Sequence, residues 1–138
     1  MYQYSGTCNC GKVAIEFSSP REISRYSSRM CDCDYCTALG IEYLTDPQSQ
    51  IAFMSTAPLD YEKQGSEQAT FLLCSNCQTL VGVCYITENI SVGSLNATLL
   101  DKFENLQASV TISPKKLSNM EKLERWGDLW SQVRIVEG

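Results

Sequence analysis

Seven of the eight cysteines in this 138-residue chain fall into three tight groups, and the chain has no histidine. The groups are Cys8-Asn9-Cys10, Cys31-Asp32-Cys33-Asp34-Tyr35-Cys36 and Cys74-Ser75-Asn76-Cys77. Without a secretory leader, thiols clustered this way bind metal or do chemistry more often than they pair as structural disulfides. The start, Met1-Tyr2-Gln3-Tyr4-Ser5-Gly6, has neither a basic n-region nor an apolar h-region. No leader is therefore expected, and the reducing cytoplasm is the expected compartment. The missing histidine excludes every His-based triad and every His-ligated metal.

A length of 138 residues predicts one domain over 1–138, at about 150 residues per domain. The balance of 11 Lys and Arg against 16 Asp and Glu leaves a net charge of −5, which argues against a nucleic-acid partner. The longest apolar run, Leu80 to Ile86, is far short of the roughly 18 residues that cross a bilayer, so no membrane partner is expected. Leu, Ile, Val and Phe make up a little over the roughly 20% below which chains tend to be disordered, so the core is expected to be thin.

Period-two alternation dominates the first two-thirds. Val13, Ile15 and Phe17 share one strand face, with Lys12, Ala14 and Glu16 on the other. Ile51 with Phe53, Phe71 with Leu73, Leu80 to Ile86, and Ile90 to Leu95 read as further strands. Asp46-Pro47, Ala57-Pro58 and Gln64-Gly65 separate them as turns. Ser118 followed by Glu121 fits a capping box, and Met120, Leu123, Trp126 and Trp130 recur at helical spacing. The expectation is a mostly antiparallel β domain with a short helix over 119–130, packed through Leu123, Trp126 and Trp130.

The C-x-C and C-x-x-C pairs at 8–10 and 74–77 can each aim two sulfurs at one point. Together, Cys8, Cys10, Cys74 and Cys77 complete a closed tetrahedral zinc site that staples the two ends of the β region. Such sites contribute about 10–16 kcal/mol, enough to stabilise a thin core. Cys31, Cys33 and Cys36 leave a tetrahedral ion one ligand short, and an open fourth position is what distinguishes a catalytic zinc from a structural one. Cys84, in Val83-Cys84-Tyr85-Ile86, reads as a small buried apolar side chain. Its alternatives are a fourth ligand to the 31–36 group or a redox partner.

These motifs, in this order, resemble one family. Ser5-Gly6-Thr7-Cys8-Asn9-Cys10-Gly11-Lys12-Val13, the C-x-C-x-x-C at 31–36, Phe71-Leu72-Leu73-Cys74-Ser75-Asn76-Cys77 and Val92-Gly93-Ser94-Leu95 look like the glutathione-dependent formaldehyde-activating enzyme family, which also includes centromere protein V. The motifs span residues 5 to about 96, and 114–138 diverges. The resemblance implies a twisted β-tent of zinc-stapled sheets. It also implies a structural zinc on Cys8, Cys10, Cys74 and Cys77, and a second, catalytic zinc on Cys31, Cys33 and Cys36. The family usually has His where this chain has Asp32, Gly where it has Gln78, and a further His before a downstream Trp.

The activity so implied is a carbon–sulfur lyase type of reaction, the reversible addition of a glutathione-like thiol to a small aldehyde. A zinc with three thiolates can take a substrate thiol as its fourth ligand and lower that thiol's pKa. Asp32, Asp34 and Tyr35 are the nearest groups to move a proton, and also read as ordinary solvated residues. Lys12, Arg21, Arg25 and Arg29 can meet substrate carboxylates; the three arginines fit one strand face, and equally an ordinary exposed one. Two other classes stay open: a non-catalytic zinc-stabilised binding module, and a thiol redox protein using the 31–36 cluster.

Overall fold

The computed structural model describes residues 1–31, 38, 40–63, 69–112 and 130–137. Among these, eleven strands form one mixed sheet system in a single domain. They are β1 (Tyr2–Thr7), β2 (Val13–Ser19), β3 (Ser27–Cys31), β4 (Tyr43–Leu44), β5 (Gln50–Ser55), β6 (Asp60–Lys63), β7 (Thr70–Leu73), β8 (Leu80–Ile86), β9 (Ser91–Asn96), β10 (Gln107–Ile112) and β11 (Ser131–Glu137). The order runs β1-β2-β5-β11-β9-β4-β3-β10, and the β6-β7-β8 meander joins it along β9.

The sheet divides at β9. One edge of β9 pairs with β8 from Ser91 to Leu95. The other edge is shared, Val92 and Gly93 going to β11 and Leu95 and Asn96 to β4. The split folds the β1-β2-β5 wing over the β7-β8-β9 wing, and the main core forms between them. Val13, Ile15 and Phe17, on the face expected from alternation, are fully buried there with Ile51, Phe53, Leu72, Val81 and Leu95. A smaller cluster of Ile41, Tyr43, Phe71, Leu73, Leu80 and Val83 covers the opposite side of β7-β8, with Trp130 packed against it. Burial on both faces is why β8 reads as a continuous apolar run rather than an alternating one.

Gly82 belongs to the close contact between wings. A Cβ there would lie 2.5 Å from Phe53 Cζ and 2.7 Å from the Ser94 carbonyl oxygen. Neither neighbour can withdraw, because Phe53 is fully buried and Ser94 is backbone. Gly82→Ala is therefore expected to cost about 1–3 kcal/mol by overpacking. In a thermal melt followed by circular dichroism this reads as a drop of roughly 4 °C per kcal/mol.

The sheet is mostly antiparallel, as expected, with two parallel pairs: β11 runs parallel to β5 and β10 parallel to β3. Both pairs join segments far apart in sequence, where no hairpin turn sets direction. The helix expected over 119–130 falls, except for Trp130, outside the described residues; Trp130 itself is in no helix and leads directly into β11, a strand that was not expected. The arginines do not share a strand face. Arg21 precedes a 3-10 turn, Arg25 lies within it and Arg29 lies in β3.

A buried polar node ties β11 to the turn before β5. The Asp46 backbone N–H donates to Ser131 Oγ at 2.8 Å, and Ser131 Oγ lies 2.6 Å from Ser49 Oγ. The Ser131 backbone N–H donates to Thr45 Oγ1 at 2.6 Å. Asp46, 3% exposed, accepts from the Tyr26 hydroxyl and from Arg21 at 3.3 Å. No helix among the described residues is long and apolar enough to cross a membrane.

Candidate metal centre

Two hairpin turns, one from each wing, meet at the end of the sheet. In the β1–β2 turn the Cys8 N–H donates to the Val13 carbonyl at 3.0 Å and the Gly11 N–H to the Cys8 carbonyl at 3.1 Å. Gly11 takes φ 81°, which the lack of a Cβ permits. The β7–β8 turn repeats the design. The Cys74 N–H donates to the Thr79 carbonyl at 3.0 Å, and the Gln78 N–H to the Cys74 carbonyl at 2.8 Å. Here the left-handed residue is Gln78, at φ 59°, a conformation that costs a side-chain-bearing residue about 1–2 kcal/mol.

The turns bring Cys8, Cys10, Cys74 and Cys77 together, their four Sγ atoms all within 4.8 Å of one another. Cys10 Sγ stands 3.6 Å from both Cys8 Sγ and Cys74 Sγ. The sulfur–sulfur edge of a zinc–thiolate tetrahedron with bonds near 2.3 Å is about 3.8 Å, so the spacing fits that ion. A disulfide would need about 2.05 Å, and all four are free thiols. Cys8 and Cys74 are 2% and 1% exposed and belong to the main core, while Cys10 faces solvent.

Backbone amides converge on all four sulfurs. Val13 N–H donates to Cys8 Sγ at 3.3 Å. Asn76's side chain and the Lys12 N–H hold the Cys10 thiol below its ordinary value. Burial pushes Cys74 up to about 11, against hydrogen bonds from the Cys77 and Asn76 backbone. Burial also acts on Cys77, but Thr79, whose Oγ1 lies 3.0 Å from the sulfur, and backbone bonds from Thr79 and Cys10 outweigh it and bring the thiol down to about 5. N–H donors aimed at every sulfur suit a set of thiolates sharing one cation, and loading such a set releases protons. The donor set therefore fits a structural zinc. Asn76, Gln78 and Thr79 were not singled out from the sequence as part of this shell; the signal available was the position after each cysteine pair, where a left-handed turn residue falls.

The second predicted group is placed only at its start. Cys31 ends β3, its backbone in register with Ile112 of β10. Cys33, Cys36, Asp32, Asp34 and Tyr35 lie outside the described residues. Cys84 sits in β8 within the main core, 2% exposed, and burial pushes its thiol up to about 11, as suits a small apolar side chain. Of the cations expected to meet substrate, Arg21 is held by Asp46 and by Gln48 at 3.3 Å.

The model of the family described as glutathione-dependent formaldehyde-activating enzyme matches residues 3–115. The chain belongs to that family. A crystal structure of a Rhodobacter sphaeroides protein, determined as a structural-genomics target, is similar in fold, with a TM-score of 0.56 at 19% identity. The likeness covers 78% of this chain and 99% of that one. No curated protein matches the chain in sequence. Membership of the formaldehyde-activating family supports a glutathione-dependent, formaldehyde-activating type of function in general terms.

Proposed function

We propose that the protein catalyses reversible addition of a small glutathione-like thiol to a small aldehyde, carbon–sulfur lyase chemistry carried by Cys31, Cys33 and Cys36. The observation behind this reading is the family match over 3–115, which spans all three cysteine groups. Cys8, Cys10, Cys74 and Cys77 hold a structural zinc in this reading, and Cys31, Cys33 and Cys36 a second. Zinc at three thiolates supplies an open position that favours the thiolate form of an incoming thiol. The sulfur then bonds to the carbonyl carbon, and the thiol's proton ends on the carbonyl oxygen to give a hemithioacetal. Asp32, Asp34 and Tyr35 are the residues nearest in sequence to carry that proton. The free thiols fit a reducing, cytoplasmic setting.

One observation favours a second reading, a zinc-stabilised scaffold without catalysis: the chain has no His, and Asp32 stands where the family usually has one. Exchange NMR on formaldehyde and glutathione separates the two. The enzyme reading expects added protein to speed exchange between free aldehyde and hemithioacetal, and expects Cys36→Ser to return it to the uncatalysed rate. Exchange that full-length, zinc-loaded protein leaves unchanged supports the scaffold.

A further inference from the structure

The turn that carries Cys74 and Cys77 is completed by a residue of unfavourable conformation, Gln78 at φ 59°. Its side chain is not idle. Gln78 Nε2 gives one hydrogen to Asp60 Oδ2 at 2.7 Å and shares the other between the Cys74 carbonyl at 3.2 Å and the Ser75 carbonyl at 3.3 Å. Asp60 begins β6 and pairs with Leu73, the residue before Cys74. The amide thus spans from the metal turn to the neighbouring strand, and the bond to the carboxylate is charge-assisted.

We propose that Gln78 is a positioning residue for the four-cysteine metal, a latch that holds the Cys74–Cys77 turn in its metal-binding shape. The mechanism follows from peptide planarity. The Ser75 carbonyl and the Asn76 N–H belong to one trans peptide unit and point in opposite directions. Holding the carbonyl outward on Gln78 turns the Asn76 N–H inward, toward Cys74 Sγ, where the Asn76 backbone donates. The Cys74 carbonyl is fixed by both the Gln78 side chain and the Gln78 backbone N–H. Asp60 anchors the far end of the latch, so the turn cannot open without breaking a bond to β6. A glycine would adopt the same φ without strain but could make none of these side-chain bonds.

The proposal rests on the zinc reading of this site, and its test keeps the two apart. Full-length protein carrying Cys33→Ser, so that the readout belongs to the four-cysteine site, is loaded with zinc and challenged with a chelator. The same protein is loaded with cobalt for its sulfur-to-metal absorption. Gln78→Ala is expected to release zinc about 10–100-fold faster, the range seen when groups behind metal ligands are removed. It is also expected to shift the cobalt bands and speed hydrogen exchange at the Asn76 amide. Gln78→Gly should fall between Gln78→Ala and the parent, and Asp60→Ala should release zinc several-fold faster without any change in the turn's own sequence. Release and cobalt spectra unchanged in Gln78→Ala or Gln78→Gly overturn the latch. If Gln78→Ala fails to fold, Asp60→Ala decides alone, and parental release there overturns it. A parent protein that takes up no metal at these cysteines overturns the zinc reading itself, and the latch with it.

Discussion

Cys74→Ser is expected to lose one equivalent of zinc and to melt far below the parent protein. Cys74 is 1% exposed, lies in the main core and stands 3.6 Å from Cys10 Sγ across the junction of the two wings. Its loss leaves three thiolates to hold the ion and places a hydroxyl in apolar surroundings. Removing one member of a buried charged set costs about 3–5 kcal/mol. The metal contribution of about 10–16 kcal/mol is weakened in addition, because binding and folding are coupled. Cys10→Ser, at the solvent-facing corner, should also lower zinc affinity but disturb the core less. Zinc content by metal analysis and melting by circular dichroism check both. Cys74→Ser protein with parental zinc content and parental melting temperature would contradict the structural zinc.

The second large effect concerns the 31–36 cluster. Three cysteines provide one ligand fewer than tetrahedral zinc takes, so a metal there is expected to bind more weakly than at the four-cysteine site and to accept an added thiol. In cobalt-substituted protein, glutathione should change the sulfur-to-metal charge-transfer absorption of this second ion. Cys33→Ser should abolish that response while the first metal and the fold remain. Cys84→Ala should leave it intact, since Cys84 packs in the core. A second cobalt that already shows four protein sulfurs, loses one in Cys84→Ala and ignores glutathione would favour the scaffold over the enzyme.

The meeting of the four cysteines was readable from sequence because they come in short pairs. The geometry of C-x-C and C-x-x-C is local, so spacing alone aims two sulfurs at one point. The alternating face of β2 was readable for the same reason, and Val13, Ile15 and Phe17 are buried as alternation requires. Residues that brace the cysteine turns were harder to find. The left-handed angle of Gln78 is marked only by its place directly after the cysteine pair, and its bond to Asp60, eighteen positions away, leaves no mark in residue spacing.

What the sequence by itself determined was therefore local: that β2, β5, β7, β8 and β9 are strands, which face of β2 is apolar, and which four thiols can share an ion. Tertiary structure alone decided the direction of β11 and β10. The helical spacing near the C-terminus gave no hint of β11, whose place follows from Ser131 entering the buried node with Asp46, Ser49 and Thr45. It was also tertiary structure that split β9 between two partners and so set the wings face to face. Strand direction and sheet branching depend on pairings between distant segments, whose energies come from burial and hydrogen bonds made only after the chain has closed. A periodic pattern says that a strand has a buried face, but the pattern is the same whichever neighbour it pairs with and whichever way that neighbour runs.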